Sequence, residues 1–134
     1  MVEMELNKIV INEKRHDQLI VLKEKKGERL LPIVIGLNEA SAIKLKIGGF
    51  NPPRPLTHDL LLTMITSLNS TLEKIIIDQL KDNTFFAKLM IKTNSGETKT
   101  IDARPSDSIA LAVRANVPIF VDEPVLKQTE VFDS

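Results

Sequence analysis

Short segments of this 134-residue chain alternate apolar and polar residues, the pattern of half-buried strands. Runs rich in β-branched residues predict strands at 4–12, 18–24, 29–35, 72–80, 84–93, 97–102 and 118–122. A turn at 25–27 joins the second and third strands into a hairpin. Pro32 has no amide donor, so the third strand is expected at a sheet edge or at a bulge.

Apolar spacing and turn residues predict helices at 38–49, 57–69, 105–116 and 123–128. Asn38 and Thr57 are the expected N-caps, and Gly48 or Gly49 the left-handed stop of the first helix. The 57–69 helix carries one apolar stripe, formed by Leu60, Leu61, Met64, Ile65 and Leu68. Together these elements predict an α+β domain over residues 1–128, with a mixed or antiparallel sheet (or sheets), three to four helices, and a tail at 129–134.

The two halves of the chain partly repeat. A shift of 66 positions places segment 6–12 on segment 72–78 and Ile43 on Ile109. Each half then reads strand, hairpin, helix, which predicts a βββα duplication with pseudo-twofold symmetry. Such symmetry would bring the strand-to-helix corner at Gly36 and Glu39 close to the corner at Asp102, where loops on a rigid scaffold often carry function.

Composition narrows the function classes. The 18 basic and 18 acidic residues balance, so there is no global attraction to nucleic acid or anionic membrane. There is no cysteine, which excludes disulfides, thiolate metal sites and cysteine nucleophiles and fits a reducing compartment. No apolar run approaches the roughly 20 residues of a membrane span, and the N-terminus does not have the form of a signal peptide. A cytoplasmic protein without a membrane association is therefore expected.

The segment IDARPSD at 101–107 concentrates charge at a strand-to-helix corner. Asp102 and Asp107 together offer hard oxygen ligands for a divalent cation, and Arg104 offers a fork for phosphate. The structural alternative is equally concrete. In it, Ser106 or Asp102 caps the helix, Asp107 complements the helix dipole, and Arg104 pairs with one of the carboxylates.

The two histidines and a search for common motifs give less information about function than the 101–107 segment. His58, in the segment RPLTHD at 54–59, is a candidate general base or metal ligand, and equally an exposed residue in the first turn of a helix. His16 lies in a polar turn and is assigned no function. The chain has no P-loop, Rossmann, zincin or nucleophile-elbow motif, and it has neither Trp nor Tyr for stacking bases.

Three strings in order, LPIVIGLNEASAI, PPRPLTHDLL and IDARPSDSIALAVRANVPIFV, resemble the bifunctional nuclease domain family over about residues 5–127. The resemblance implies a compact α+β domain, usually dimeric, with nuclease activity on RNA and DNA in some plant members. The positions that match the family's motifs are Gly36, Glu39, Arg54, Pro55, His58, Asp59, Asp102, Arg104, Pro105, Ser106 and Asp107. The chain departs from the family at Phe86, where Tyr is frequent, and at Lys44 and Lys46 in the first helix.

The leading hypothesis is a metal-assisted nuclease that uses Mg²⁺ or Mn²⁺. The predicted metal ligands are Asp102, Asp107, Glu39 and Asp59. Asp102, Asp107 and His58 are the predicted catalytic residues, with His58 moving a proton, and Arg104, Arg54 and Ser106 are predicted to bind substrate. The balanced charge counts against tight polynucleotide binding.

The alternative hypothesis is a non-catalytic homodimeric module that binds a small anionic ligand or a protein partner. A purely structural dimer is a third, and it predicts no cleft beside the 102–107 corner. Geometry separates the first two. Carboxylates of Asp102 and Asp107 that converge on an open cleft favour the nuclease, whereas Arg104 buried in a closed salt bridge with them favours the binding module.

Overall fold

The computed structural model describes residues 1–12, 14 and 17–130, apart from the side chain of Glu130. Within these residues it contains seven strands and four helices. The strands are β1 (Val2–Val10), β2 (Asp17–Glu24), β3 (Leu30–Gly36), β4 (Thr71–Lys81), β5 (Thr84–Lys92), β6 (Thr98–Ala103) and β7 (Ile119–Val121). The helices are α1 (Leu37–Ile47), α2 (Thr57–Ser67), α3 (Pro105–Ala115) and α4 (Glu123–Glu130). The predicted α+β class is confirmed, and every predicted element is present. His16 lies outside the described residues.

The strands form one mixed sheet in the order β3-β2-β1-β7-β4-β5-β6. Strands β4 and β7 pair in parallel, and every other neighbouring pair is antiparallel. Strand β3 is an edge strand, as Pro32 predicted, and a sheet edge is where a residue without an amide donor is tolerated. The short strand β7 joins two antiparallel meanders into a single sheet.

The two meanders have the same plan. Strands β1, β2 and β3 lead into α1, and strands β4, β5 and β6 lead into α3. This shared order does not establish a duplication, which stays a prediction. The expected closeness of the two strand-to-helix corners is present, because Arg104 Nη2 donates a hydrogen bond to Glu39 Oε1 at 2.9 Å across 65 positions of sequence.

Helix α3 lies at the centre of the packing. It contacts both α1 and α2 and also β4 and β5, and its residues from Ser108 to Ala112 are buried. Ile109 is fully buried beside other branched side chains of the core such as Ile43 and Ile75. Burial of this apolar face, rather than capping, holds the helix in place, since its N-cap residue Arg104 makes no side-chain cap hydrogen bond.

The predicted helix caps need correction. Helix α1 begins after Gly36, so Asn38 is already its second residue. Helix α2 begins after Leu56, so Thr57 is its first residue and not its cap. The backbone preceding each helix is extended at these N-cap positions, and sequence alone did not locate that change. At the end of α1, Gly49 adopts the left-handed conformation (φ 79°), whereas Gly48 remains right-handed.

The proposed caps of α3 are also wrong, because neither Asp102 nor Ser106 occupies its N-cap position. At the other end of the chain, α4 extends to Glu130, two residues into the predicted tail. Thr129 of this helix is buried. Residues 131–134 lie outside the described residues, so the domain boundary at 128 stays a prediction. None of the described helices is both long enough and apolar enough to cross a membrane.

Candidate functional site

The first turns of three helices border one cavity of about 660 Å³. Six residues from these turns line it: Asn38 and Glu39 of α1, Thr57 and His58 of α2, and Arg104 and Asp107 at the start of α3. Each helix is 11 residues long and directs the positive end of its dipole to its first turn. The cavity is therefore a region where helix dipoles favour negative charge.

A continuous chain of polar contacts crosses this cavity. Arg104 Nη2 donates to Glu39 Oε1 at 2.9 Å, and Arg104 Nε donates to Asp107 Oδ2 at 2.8 Å. The second carboxylate oxygen of Asp107 lies 2.9 Å from His58 Nε2. The chain Glu39, Arg104, Asp107, His58 thus joins all three helices, and Asp107 has both oxygens occupied.

Within this contact chain of Glu39, Arg104, Asp107 and His58, neighbouring groups stabilise each other's charged forms. Partial burial acts to raise the pKa of Asp107, but the hydrogen bonds and charge of Arg104 and His58 outweigh it and lower that pKa below the usual value. The hydrogen bond from Arg104 to Asp107, with the charges of Asp107 and Glu39, raises the pKa of the guanidinium. Asp107 is therefore an anion, and Arg104 a cation, at any pH near neutrality.

His58 is the most enclosed polar side chain of this group, with 7% of its surface exposed. Its Nε2 is held by Asp107, and within the described part of the chain its Nδ1 makes no hydrogen bond. An imidazole fixed through one nitrogen by a carboxylate, with the other nitrogen free, has the arrangement of a general base.

Gly36 makes room for the carboxylate of Glu39. A Cβ atom at position 36 would lie 2.6 Å from Glu39 Oε2, closer than non-bonded atoms approach. Because the backbone of Gly36 is ordinary and extended (φ −77°), the requirement is one of space and not of backbone conformation. A larger residue there would force the carboxylate of Glu39, the end of a flexible side chain, to shift.

Asp59 lies behind the site, where it fixes α2. It accepts hydrogen bonds from the backbone amide of Leu56 at 3.0 Å and from Arg114 Nε at 2.8 Å. Burial acts to raise the pKa of Asp59, but these hydrogen bonds and the charge of Arg114 lower it overall. Asp59 does not line the cavity that contains its neighbour His58.

Arg114 is the residue that sequence reasoning missed. Its side chain is 3% exposed and donates to Asp59 and to the backbone carbonyls of Ala42 and Ala110, so it ties α3 to both α1 and α2. The signal was present in the sequence: Arg114 is the one polar residue of the otherwise apolar segment 109–115, and a buried charge requires a partner.

Asp102 lines the cavity but does not join the contact chain. Its carboxylate is largely exposed at the end of β6 and lies 3.3 Å from Lys88 Nζ, which also lies 3.5 Å from Asp78 Oδ2. The structure therefore brings Glu39, His58 and Asp107 together through Arg104 and leaves Asp102 at the rim.

Two predicted substrate-binding residues lie elsewhere. Arg54 is exposed in the loop before α2 and lines none of the described cavities. Ser106 is buried and faces a separate cavity of about 450 Å³ between β3 and the β4–β5 turn. Arg104 borders both cavities, whereas His58 lines only the first and Ser106 only the second. The predicted roles of Arg54 and Ser106 stay predictions.

The predicted metal ligands do not form a ligand set. Among the described residues no three His, Cys, Asp or Glu side chains are grouped so that they could hold one ion. The guanidinium of Arg104 occupies the space between the carboxylates of Glu39 and Asp107. In this arrangement the residues do not fit a divalent cation, and the Mg²⁺ or Mn²⁺ expectation stays a prediction.

The geometry has one feature expected of the nuclease and one expected of the binding module. The cavity beside the 102–107 corner is open, contrary to a purely structural protein. Arg104 does pair with Asp107 and Glu39, but its side chain remains 66% exposed, so it is not sealed in a buried salt bridge. An exposed cation of this kind remains accessible to an incoming anion.

Comparison with known proteins agrees with the resemblance of the three motifs. The family model of the bifunctional nuclease domain matches residues 20–134. The chain belongs to the bifunctional nuclease domain family. A relative from Mycobacterium tuberculosis (strain ATCC 25618 / H37Rv), described as an uncharacterized protein, is 42% identical over 128 residues, which are 96% of this chain and 76% of that protein.

Plant members of the bifunctional nuclease domain family are more distant. Bifunctional nuclease 1 of Oryza sativa subsp. japonica is 23% identical over 112 residues, and bifunctional nuclease 1 of Arabidopsis thaliana is 28% identical over 107 residues. The matches cover 82% and 78% of this chain but only 34% and 33% of the plant proteins. This chain thus corresponds to about a third of each plant nuclease.

The positions at which this sequence departs from the bifunctional nuclease domain family do not belong to the contact chain. Lys44 and Lys46 are exposed on α1, so they do not disturb its buried face, which carries Ala40 and Ile43. Phe86 is half-buried on β5 opposite Gln79 and does not line the cavity.

Proposed function

We propose that this protein is a hydrolase that cleaves phosphodiester bonds of RNA and DNA at the cavity bordered by α1, α2 and α3. One observation carries the proposal: an exposed arginine, a carboxylate-held histidine and three helix N-termini meet in one open cavity. Membership of the bifunctional nuclease domain family supports the same reaction class.

The cavity suits a phosphodiester anion. Each helix N-terminus carries about half a positive charge, so three of them offset the negative charge of Glu39 and Asp107 that Arg104 leaves uncompensated. Arg104 uses Nε and Nη2 for these carboxylates, and its Nη1 has no partner among the described residues. A phosphate oxygen accepts a hydrogen bond from Nη1, and the neighbouring helix N-termini stabilise the negative charge of the phosphate.

His58 activates the attacking water. In the neutral tautomer that this role requires, His58 donates its Nε2–H to Asp107 and has the lone pair on Nδ1. Nδ1 removes a proton from water, the resulting hydroxide oxygen attacks phosphorus, and the bond from phosphorus to the departing ribose oxygen breaks. That oxygen takes a proton from solvent, and Arg104 stabilises the charge that develops on the phosphoryl oxygens.

The sequence hypothesis adds Mg²⁺ or Mn²⁺, which would lower the pKa of a bound water and stabilise the same charge. No step above depends on it. Its test is the same cleavage assay with added Mg²⁺, with Mn²⁺ and with chelator.

The decisive experiment uses end-labelled single-stranded RNA and DNA. The wild type is compared with His58→Gln and Arg104→Gln, and with Lys99→Gln as a control that removes an exposed cation outside the cavity. We expect cleavage by the wild type and the control, and a loss of about 100-fold or more in His58→Gln. Cleavage that persists in both cavity variants while they remain folded would assign the activity to another site or to a contaminant.

The alternative is a non-catalytic dimeric module that binds a small anion or a protein partner. The occupied oxygens of Asp107 and the balanced charge of the chain favour it over a tight polynucleotide binder. It predicts that inorganic phosphate shifts the NMR signals of cavity residues in the wild type, not in Arg104→Gln, and that no nucleic acid is cleaved under any metal condition.

A cytoplasmic location is part of the same proposal, because a chain without cysteine suits a reducing compartment. Cell fractionation with an antibody to the protein tests it, and recovery in a membrane or secreted fraction would contradict it.

A further inference from the structure

The cavity of about 450 Å³ between β3 and the β4–β5 turn is distinct from the candidate site, and we name it the second cavity. Its volume lies within the range of small-ligand sites in proteins. Gly36 borders it at the start of α1, and Pro105 and Ser106 border it in the first turn of α3. The N-termini of two 11-residue helices therefore meet at the second cavity, whereas His58 and Asp107 line only the first.

The hydroxyl of Ser106 is enclosed in the wall of the second cavity without a hydrogen-bond partner. Only 6% of Ser106 is exposed, and its Oγ makes no hydrogen bond within the described part of the chain. The backbone amide of Ser106 has no acceptor there either, as is usual in the first turn of a helix. Ser108 differs, since its hydroxyl donates to the carbonyl of Arg104 at 2.9 Å. Because an unpaired buried hydroxyl is costly, its presence in a cavity wall indicates a group that binds a ligand.

Apolar side chains form another part of the wall. Pro32 and Val34 of the edge strand β3 and Phe85 of β5 line the second cavity. Val34 is 62% exposed and Phe85 is half-buried, so both have surface available for contact. Apolar area combined with a few polar groups is the usual composition of a small-molecule site. A ligand that matches this wall has an apolar body and one polar group.

The charges around the second cavity favour a singly charged anion. The partial positive charges of the two helix N-termini attract negative charge. The full charge of Arg104, which also borders the cavity, is already matched by Asp107 and Glu39. Asp17, an exposed residue of the same wall, disfavours a second negative charge on the ligand. A carboxylate meets these conditions better than a phosphate dianion.

We propose that the second cavity binds a small molecule with a single carboxylate and an apolar body. The carboxylate oxygens accept hydrogen bonds from the hydroxyl and the amide of Ser106 at the N-terminus of α3. The apolar body packs against Val34 and Phe85. Because this binding involves neither His58 nor cleavage of nucleic acid, its test is independent of the proposed function.

An NMR titration with phenylacetate tests the site. A ligand of this size binds at ordinary efficiency with a Kd on the order of millimolar, so the titration extends to about 20 mM at constant ionic strength. Phenylacetamide is the uncharged analogue, phenyl phosphate is the dianion, and a tripeptide that ends in phenylalanine presents the same carboxylate on a peptide. We expect phenylacetate to shift the amide signals of Ser106 and Val34, and each of the other three probes to bind more weakly.

Matched charges locate the bound carboxylate. Val34→Asp places a negative charge in the second cavity and Val34→Lys a positive one, whereas Leu61→Asp places the negative charge in the first cavity. Val34 and Leu61 are exposed, so these changes leave the core intact. We expect Val34→Asp to weaken phenylacetate binding about 10-fold by charge repulsion, and Val34→Lys and Leu61→Asp to retain it.

Ser106→Ala and Ser108→Ala separate ligand binding from a structural role. Ser106→Ala removes an unpaired hydroxyl, so we expect the free protein to resist urea at least as well as the wild type. The same variant should bind phenylacetate about 10-fold more weakly, because a hydrogen bond to a charged group is lost. Ser108→Ala should instead lower the urea midpoint, since it removes the hydrogen bond to the Arg104 carbonyl.

Four results would overturn the proposal. The first is an unshifted Ser106 signal at the highest phenylacetate concentration. The second is binding that Leu61→Asp weakens and Val34→Asp does not, which places the carboxylate in the first cavity. The third is equal or tighter binding of phenylacetamide, phenyl phosphate or the tripeptide, which assigns the cavity to another class of ligand. The fourth is a Ser106→Ala variant that loses stability and binds phenylacetate like the wild type.

Discussion

The ion pair between Asp59 and Arg114 provides the sharpest test of how the site is built. The sequence offered Asp59 as a metal ligand, whereas the structure gives it two structural partners, Arg114 and the amide of Leu56. Asp59→Ala removes both contacts and leaves the guanidinium of Arg114, 3% exposed, without a counter-charge. The variant therefore asks whether Asp59 serves the fold or a ligand.

The expected loss of stability follows from burial. Removal of one partner from a fully buried pair costs about 3–5 kcal/mol. Asp59 is 33% exposed, so water compensates part of this loss, and we expect about 2 kcal/mol. For a chain of this length such a loss lowers Tm by about 6–10 °C.

A double-mutant cycle measured by urea unfolding isolates the pair. In Arg114→Met the cation is absent, so a further change of Asp59→Ala loses only the Leu56 hydrogen bond. We expect a coupling free energy of about 1 kcal/mol or more between the two positions. The pH dependence has a definite sign: the folded state lowers the pKa of Asp59, so the pair stabilises fully above about pH 4 and weakens as the pH falls through the lowered value.

Two results would refute this reasoning. One is an Asp59→Ala variant with unchanged stability and a loss of Mn²⁺ binding, which would return Asp59 to the ligand hypothesis. The other is a coupling free energy near zero, which would show that Arg114 is satisfied by the Ala42 and Ala110 carbonyls alone.

Three further predictions concern the contact chain and the core. Asp107→Asn should make the free energy of unfolding less dependent on pH in acid, because the wild-type Asp107 has a lowered pKa and its stabilising contribution disappears as the pH falls below about 4. Urea unfolding at pH 3–7 checks this, and wild-type and variant curves that run parallel would contradict it. Gly36→Ala should separate Glu39 from Arg104 and weaken phosphate binding several-fold in NMR titrations with inorganic phosphate, whereas unchanged binding would show that Glu39 moves without consequence. Ile109→Ala should lower the free energy of unfolding by about 2–5 kcal/mol, and a loss below 1 kcal/mol would show that the core collapses around the gap.

The fold was largely predictable because its strands and helices follow simple periodicities. Period-two patterns located all seven strands to within about two residues, and the edge position of β3 followed from Pro32. The contact between Glu39 and Arg104 agrees with the expected closeness of the two strand-to-helix corners, although the duplication from which it was expected stays a prediction. The strands and the edge position of β3 depend on local sequence, which a single chain provides.

Other features depend on tertiary context that a single sequence does not contain. Periodicity identified the apolar stripe of α2 but not the side of the helix that the core covers. The first helical residue depends on the preceding backbone conformation, so Asn38 and Thr57 were assigned as caps although both lie inside their helices. The partner of Arg114 is 55 positions away and could be found only in three dimensions.

The partners of Asp107 indicate that the 102–107 corner does more than begin helix α3. Its position in the first turn of α3 would allow its carboxylate to cap its own helix, where a hydrogen bond to a free amide is worth about 1 kcal/mol. Instead both oxygens are directed to Arg104 and to His58 of another helix. Local capping is given up for a connection that orients one imidazole in an open cavity, and such departures from local preference are expected where a site is held in place.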